Sequence, residues 1–294
     1  MMIYRKKILL SIVELFGGEL SATNFHKILF LFSEKQTDRK YVFVPYKYGC
    51  FSFQAMADKN SLIRDGYLEN SKYWKIIAKN ANFIITLNEN DRKSLQKIKL
   101  QFGKFSTKDL IRYVYLNYPY FAINSEILAN CLTDKEIKLV EKFRPRNENI
   151  GLFTIGYEGR SIEKYLNILI KQNIKVLCDV RKNPLSRKYG FAKRTLQNAC
   201  ESVNIKYIHL PELGIVSEKR KNLNNQADYD NLFLYYEKTV LPTQNNAIKF
   251  IHSLISNYRR VALTCFEAMP RQCHRTRIAN SVHSLDETIP LKHL

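Results

Sequence analysis

Along residues 3 to 16 the apolar side chains Ile3, Ile8, Leu9, Ile12, Val13 and Phe16 fall on one helical face, and Gly17-Gly18 ends the run. Ser21 stands where it caps a second apolar segment, Phe25, Ile28, Leu29, Leu31 and Phe32. An extended aromatic stretch containing Pro45 leads through Gly49 to a third helix that stops at Gly66. Two strand-like segments follow, Tyr73 to Ala78 and Asn82 to Leu87, with the turn-prone pair Lys79-Asn80 between them. From Asn88 to Phe143 the period is helical again, with Leu110, Tyr113, Val114 and Leu116 on one helix ahead of Pro119. Tyr113, Tyr115, Tyr118 and Tyr120 read first as a packing stripe, with stacking on bases as the alternative. Pro145, Asn147, Asn149 and Gly151 then break the periodicity, which places a domain cut at residue 150.

Beyond the cut the pattern alternates. Leu152 to Tyr157 reads as a strand, Ser161 caps a helix carrying Ile162, Leu166, Leu169 and Ile170, and Lys175 to Val180 is a short apolar run of the buried parallel type. A helix near Lys193 to Ser202, the strand Lys206 to Leu210, helices over Asp228 to Val240 and Asn245 to Ser256, the strand Val261 to Cys265 and a helix starting near Cys273 complete the series. Residues 151–294 are therefore predicted to be an α/β domain, Rossmann-like, with a mostly parallel sheet and helices on both faces. Residues 1–150 are expected to form a mostly α, winged-helix-like domain with a helical connector, because three helices followed by a β-ribbon is the winged-helix order.

Charge adds a partner class to this outline. The 294 residues hold 47 Lys and Arg against 27 Asp and Glu, a formal net charge of +20 that splits evenly between the halves. A field of that size favours polyanions, and nucleic acid, with DNA first, is the expected partner. There is no run of eighteen apolar residues and no signal-peptide pattern, so a membrane span and secretion are not expected. The six cysteines form no CxxC pair, which argues against a disulfide framework and a zinc ribbon and fits a reducing, cytoplasmic setting. Oligomeric state is not encoded in any pattern found.

Ligands of open parallel sheets sit beyond the carboxyl ends of the strands, and here those ends are rich in ionisable groups. Tyr157 and Glu158 follow the first strand of the second half, Asp179 and Arg181 the second, His209 and Glu212 the third, Cys265 and Glu267 the fourth. Arg181, Ser186, Arg187, Lys188, Arg271 and Arg275, with His274, suit phosphate oxygens, and Tyr157 and Glu158 at the same rim are counted with them as substrate or phosphate ligands. Asp179, Glu212 and Glu267 offer carboxylates for a general base or for a divalent cation, and His209 is read as an acid, a ligand or a core histidine. Asp179 has the competing reading of an ion pair with Arg181 that shapes the loop. Cys273, at a predicted helix start beside His274 and Arg275, is a candidate nucleophile, whereas its spacing from Cys265 matches no common zinc pattern. No GxGxxG follows the first strand and no Walker lysine motif occurs, which disfavours NAD and ATP as cofactors.

TIGYEG, CDVRKNPLSRKYGF, YIHLPELG and TCFEAMPRQCHRTRIA, in this order and spacing, make residues 151 to 283 similar to the family known as domain of unknown function 488, with Ile215 after Gly214 where the pattern has a second glycine. FHKILFLF, FVPYKYGCFS and LIRDGYL, over roughly residues 20 to 70, resemble the SocA-like, Panacea domains. The first resemblance implies association with bacterial genome defence and DNA modification, the second a docking module. Taken with the charge, the leading expectation is a DNA-acting hydrolytic enzyme, a nuclease or a base-excision enzyme. A non-enzymatic DNA-binding regulator or nucleotide sensor, and a thiol-dependent transferase using Cys273, are the alternatives.

Overall fold

The computed structural model describes residues 2–77, 82–220 and 223–294. The chain divides into two units, Met1–Arg144 and Pro145–Leu294. The division precedes the cut at residue 150 because the intervening segment is tied into the second unit. Arg260 donates to the Asn149 carbonyl (2.6 Å) and to Asn147 Oδ1 (3.3 Å), and Asn173 Nδ2 donates to the Asn147 carbonyl (3.0 Å).

The first unit is mostly helical. α1 (Tyr4–Leu15) buries Ile8, Leu9, Ile12 and Val13 of the face read from the sequence but leaves Ile3 exposed ahead of it and Phe16 half-buried. α2 (Ala22–Ser33) buries its whole predicted face, and Ser21 Oγ accepts from the Asn24 amide (3.2 Å) as the predicted cap. Between them lies β1 (Glu19–Leu20). A hairpin of β2 (Val44–Tyr46) and β3 (Gly49–Phe51) leads into α3 (Phe53–Arg64). A β-ribbon follows α3 as expected, but from other residues: the Glu69 amide donates to the Lys75 carbonyl (2.9 Å), the Ile77 amide to the Tyr67 carbonyl (3.1 Å), and Leu68 bridges Ile76 antiparallel. β4 (Trp74–Lys75) pairs antiparallel with β1, and the segment from Asn82 to Leu87 holds a 3-10 turn, Ile84–Thr86, rather than a strand. The Glu14 carboxylate takes the Phe83 and Ile84 amides (3.0 and 2.9 Å) that a ribbon partner would have needed, so a distant charge overrides a strand-prone run. Ala78 and the expected turn at Lys79-Asn80 lie outside the described residues.

α4 (Glu89–Phe102), α5 (Thr107–Asn117), α6 (Leu128–Cys131) and α7 (Asp134–Glu141) complete this unit. Its tyrosines pack: Tyr113 against Phe102 (4.8 Å between ring centroids), Tyr118 against Phe30 (4.8 Å), and Tyr115 buried with its hydroxyl 2.7 Å from Ser125 Oγ.

The second unit is built on a five-stranded parallel sheet of β5 (Gly151–Gly156), β6 (Val176–Asp179), β7 (Lys206–His209), β8 (Arg260–Cys265) and β9 (Leu291–His293) in the order β7-β6-β8-β5-β9. α8 (Ile162–Lys171) and α9 (Lys193–Glu201) cover one face, where Tyr165 donates to Thr264 Oγ1 (2.6 Å). α10 (Gln226–Thr239), α11 (Asn245–Tyr258) and α12 (His274–His283) cover the other, over Val176, Cys178, Val261, Leu263 and Cys265. Strand alternation thus points Cys178 and Cys265 to the α10–α12 side and Asp179 and Thr264 to the α8–α9 side. β9 is the one strand of this sheet that the periodicity did not announce, since one half-buried and two exposed residues at an edge carry no apolar run. The connection leaving β6 runs outward to β7, while that leaving β8 runs the opposite way to β9. Such a reversal opens a crevice at the carboxyl ends of the two neighbours. Among the described residues no helix is long and apolar enough to cross a membrane.

Candidate functional site

The crevice holds a pocket of about 360 Å³ lined by Tyr157 just after β5, Arg181 to Asn183 and Leu185 to Lys188 from the loop after β6, Ile215, and Phe266 after β8. Four of its side chains are cationic and none is a carboxylate. Of the predicted phosphate ligands, Tyr157, Arg181, Ser186, Arg187 and Lys188 are brought together here. Lys182, Asn183, Leu185, Ile215 and Phe266 also line it. The first three sit inside the same DVR-to-SR loop, so their neighbours were the signal for them.

The loop is held from beneath by a buried network. Asp179 is fully buried and accepts from Arg181 Nε (2.8 Å) and Nη2 (2.5 Å), from the Arg181 amide (3.1 Å) and from the Tyr207 hydroxyl (2.6 Å). Arg181 Nη1 donates to the Tyr157 hydroxyl and the Phe191 carbonyl, both at 2.9 Å. Burial opposes the guanidinium charge, but the paired Asp179 carboxylate outweighs it and pushes the Arg181 pKa up. Burial beside the same carboxylate also pushes Tyr207 up. The Tyr157 ring stacks on Phe191 with centroids 4.3 Å apart. His209, half-buried, donates from Nε2 to the Arg181 carbonyl (2.9 Å), which fixes its tautomer and makes it a clamp on the loop. Asp179 and His209 therefore stand behind the pocket and hold its wall.

The remaining predicted residues are placed elsewhere. Glu158 is exposed at the end of β5 and accepts from the Ala268 amide (2.9 Å). Glu212 is exposed on the 3-10 turn Pro211–Leu213, and Arg271 is exposed on the turn Pro270–Gln272; neither lines the pocket. Glu267, Cys273, His274 and Arg275 are buried beneath the rim, so His274 and Arg275 do not face a phosphate in it. Arg275 donates to the Glu267 and Ala268 carbonyls (2.6 and 3.1 Å). Cys273 is 1% exposed, and burial holds its thiol well above the usual range, opposite to the activation expected from neighbouring cations. Asp179, Glu212 and Glu267 do not form a carboxylate cluster; among the described residues the group able to hold a metal is Cys265, Cys273 and His274.

Two glycines allow the loops to meet. A Cβ at Gly156 would lie 1.9 Å from the Glu267 carbonyl oxygen, and one at Gly214 would lie 2.1 Å from the Lys182 amide nitrogen. Both obstacles are backbone, which cannot rotate away. Gly156→Ala is expected to cost about 3 kcal/mol of stability. Gly159→Ala, which meets open space and suffers only from a φ of +70°, should cost about 1 kcal/mol. Denaturant unfolding of the two variants checks the ranking, and equal losses would contradict it.

Residues 161–282 match the family model described as Domain of unknown function DUF488. No curated protein and no solved structure matches the chain.

Proposed function

On the premise that the second unit carries a DUF488 domain, we propose that the protein binds nucleic acid and that the crevice pocket receives a phosphate of its backbone. The observation that carries this reading is the lining itself: Arg181, Lys182, Arg187 and Lys188 around one opening, with Ser186 and Asn183 as neutral donors and no carboxylate among them. Arg181 is paired with Asp179 from behind and Lys188 Nζ donates to the Tyr157 carbonyl (2.9 Å), whereas no carboxylate stands in the lining itself. A phosphodiester bound there would meet this positive lining, and Arg187 offers the fork geometry that suits phosphate oxygens. Phe266 and Leu185, both exposed at the rim, offer apolar surface to a sugar or base. The net charge of +20 supplies the long-range attraction.

The test is fluorescence anisotropy with labelled single-stranded and duplex DNA across a salt series. Affinity is expected to fall steeply with salt. Lys182 and Arg187 are exposed, so the double variant Lys182→Ala/Arg187→Ala should fold normally. Its duplex log–log salt slope should flatten by about 0.9 for each phosphate that is no longer neutralised. A salt-independent signal, or a slope unchanged in the variant, would refute the assignment.

A hydrolytic enzyme is the second reading, and one observation favours it: Glu158 leaves a carboxylate exposed beside the pocket wall, held by the Ala268 amide. With Asp179 engaged by Arg181 and Tyr207, Glu158 is the carboxylate that would have to activate water in this reading. Glu158→Gln should then abolish strand breaks, whether direct or released by alkali, with DNA affinity retained. Absence of any product from the parent protein leaves the binding reading alone. The transferase reading is not carried forward, because Cys273 is buried.

A further inference from the structure

Beneath the crevice, where β8 ends and α12 begins, groups of a different chemistry converge. The ligand atoms of Cys265, Cys273 and His274 all lie within 4.8 Å of one another, and the three residues are buried. The 3-10 turn Pro270–Gln272 folds Cys273 back onto Cys265, which the linear spacing of the two cysteines does not suggest. His274 Nε2 lies 2.9 Å from the Val180 carbonyl oxygen. A carbonyl only accepts, so Nε2 carries the proton and Nδ1 presents its lone pair, 3.7 Å from Cys265 Sγ. Glu267 Oε2 lies 3.4 Å from the same sulfur.

A tetrahedral zinc site with Zn–S of about 2.3 Å and Zn–N or Zn–O of about 2.0–2.1 Å has ligand-to-ligand edges of about 3.3–3.8 Å. The separations of 3.7 Å from Cys265 Sγ to His274 Nδ1 and 3.4 Å to Glu267 Oε2 are of that size, and Cys273 Sγ lies within 4.8 Å of Cys265 Sγ and of the His274 ring nitrogen. A carbonyl on the far imidazole nitrogen is, in addition, the outer support that metal-bound histidines commonly have. We propose that Cys265, Cys273 and His274 bind one zinc ion, and that the Glu267 carboxylate, 3.4 Å from Cys265 Sγ but outside the group of three, turns inward as the fourth ligand. Two thiolates, an imidazole and a carboxylate form a borderline-soft set suited to this cation.

Binding exchanges two S–H bonds for two Zn–S bonds and releases two protons to solvent, with no change of oxidation state. Two thiolates and a carboxylate around a dication leave one negative charge, and the fully buried guanidinium of Arg275, bonded to the Glu267 carbonyl, lies beside it. All four ligands are buried, so the site is closed and structural. It ties the end of β8 to the first turn of α12 and, through His274, to the end of β6. None of the four lines the phosphate pocket.

The full-length protein, expressed with zinc, is expected to carry one zinc per chain by mass spectrometry. Its X-ray absorption should show two sulfur neighbours at about 2.3 Å and two lighter ones. Stripped and reloaded with Co²⁺, it should show a thiolate-to-cobalt charge-transfer band and the intense ligand-field bands of a tetrahedral ion. Cys273→Ser should roughly halve the charge-transfer band and lower zinc affinity at least tenfold, since even outer-shell changes cost about 10–100-fold. Cys131→Ser, in the other unit, should change neither. A zinc-exposed parent protein with only trace metal, an absorption spectrum without sulfur neighbours, or a cobalt spectrum indifferent to Cys273→Ser would each overturn the site.

Discussion

Asp179→Ala is expected to lower the unfolding free energy of the second unit by about 3–5 kcal/mol, the cost of leaving a buried charge without its partner. Arg181 is 5% exposed, so without Asp179 its guanidinium is left largely desolvated and without its charge partner. The substitution removes the acceptor for its Nε, its Nη2 and its own amide, and for the Tyr207 hydroxyl. The loop from Arg181 to Lys188 then loses its anchor, so DNA affinity should fall together with stability. Denaturant unfolding followed by circular dichroism measures the first effect. The double variant Asp179→Ala/Arg181→Met separates the causes, because removing both charges should recover most of the loss. A penalty near that of an exposed site, about 0.5 kcal/mol, would mean that the pair does not hold the loop. An Asp179→Asn protein of normal stability that has lost only a catalytic product would return Asp179 to the chemistry.

The first unit should lose stability in acid through His26. Both of its ring nitrogens lack a hydrogen-bond partner, and the ring is packed against Phe51 (4.6 Å between centroids) and edge-on to Phe25 and Trp74. Burial first, and the nearby charges of Lys27 and Lys59 second, push its pKa down from 6.5 to about 3. The sign follows from proton binding: between these values the unfolded chain holds a proton that the folded one refuses. Stability contributed by the neutral ring is complete above the unfolded value. It is lost as pH falls through 6.5 and goes on falling towards 3, by about 1.4 kcal/mol per pH unit. Trp74 is the only tryptophan, so its fluorescence reports unfolding of this unit. His26→Phe should flatten the curve below about pH 6 and leave it unchanged above about pH 7. Parallel acid limbs for the parent and the variant would assign the loss to carboxylates instead.

Much of the scaffold was legible because it is encoded locally. Ser21 and Ser161 cap the helices they were expected to cap, and the apolar spacing of Ile162, Leu166, Leu169 and Ile170 reproduces the buried face of α8. The runs at Leu152, Lys175, Lys206 and Val261 became β5, β6, β7 and β8, so the parallel sheet and the rim at its carboxyl ends followed from period and length alone. The site was legible as a set of candidates and not as an arrangement. Arg181, Ser186, Arg187 and Lys188 share one loop and reached the pocket together. Glu212 and Arg271, equally charged and equally close to a strand end, did not.

The sequence by itself determined the order and type of elements, the polar rim and the excess of positive charge, because spacing, caps and composition are properties of neighbouring residues. Only the tertiary structure decided which of those polar groups are already engaged. It set Tyr207 and Arg181 on Asp179 and gave Glu14 to the amides of Phe83 and Ile84. It also brought Cys265 beside Cys273 in a place where burial disfavours a reactive thiolate. Whether an ionisable group is paired, exposed or buried depends on partners far away along the chain, and desolvation, which governs its chemistry, is settled only when those partners arrive.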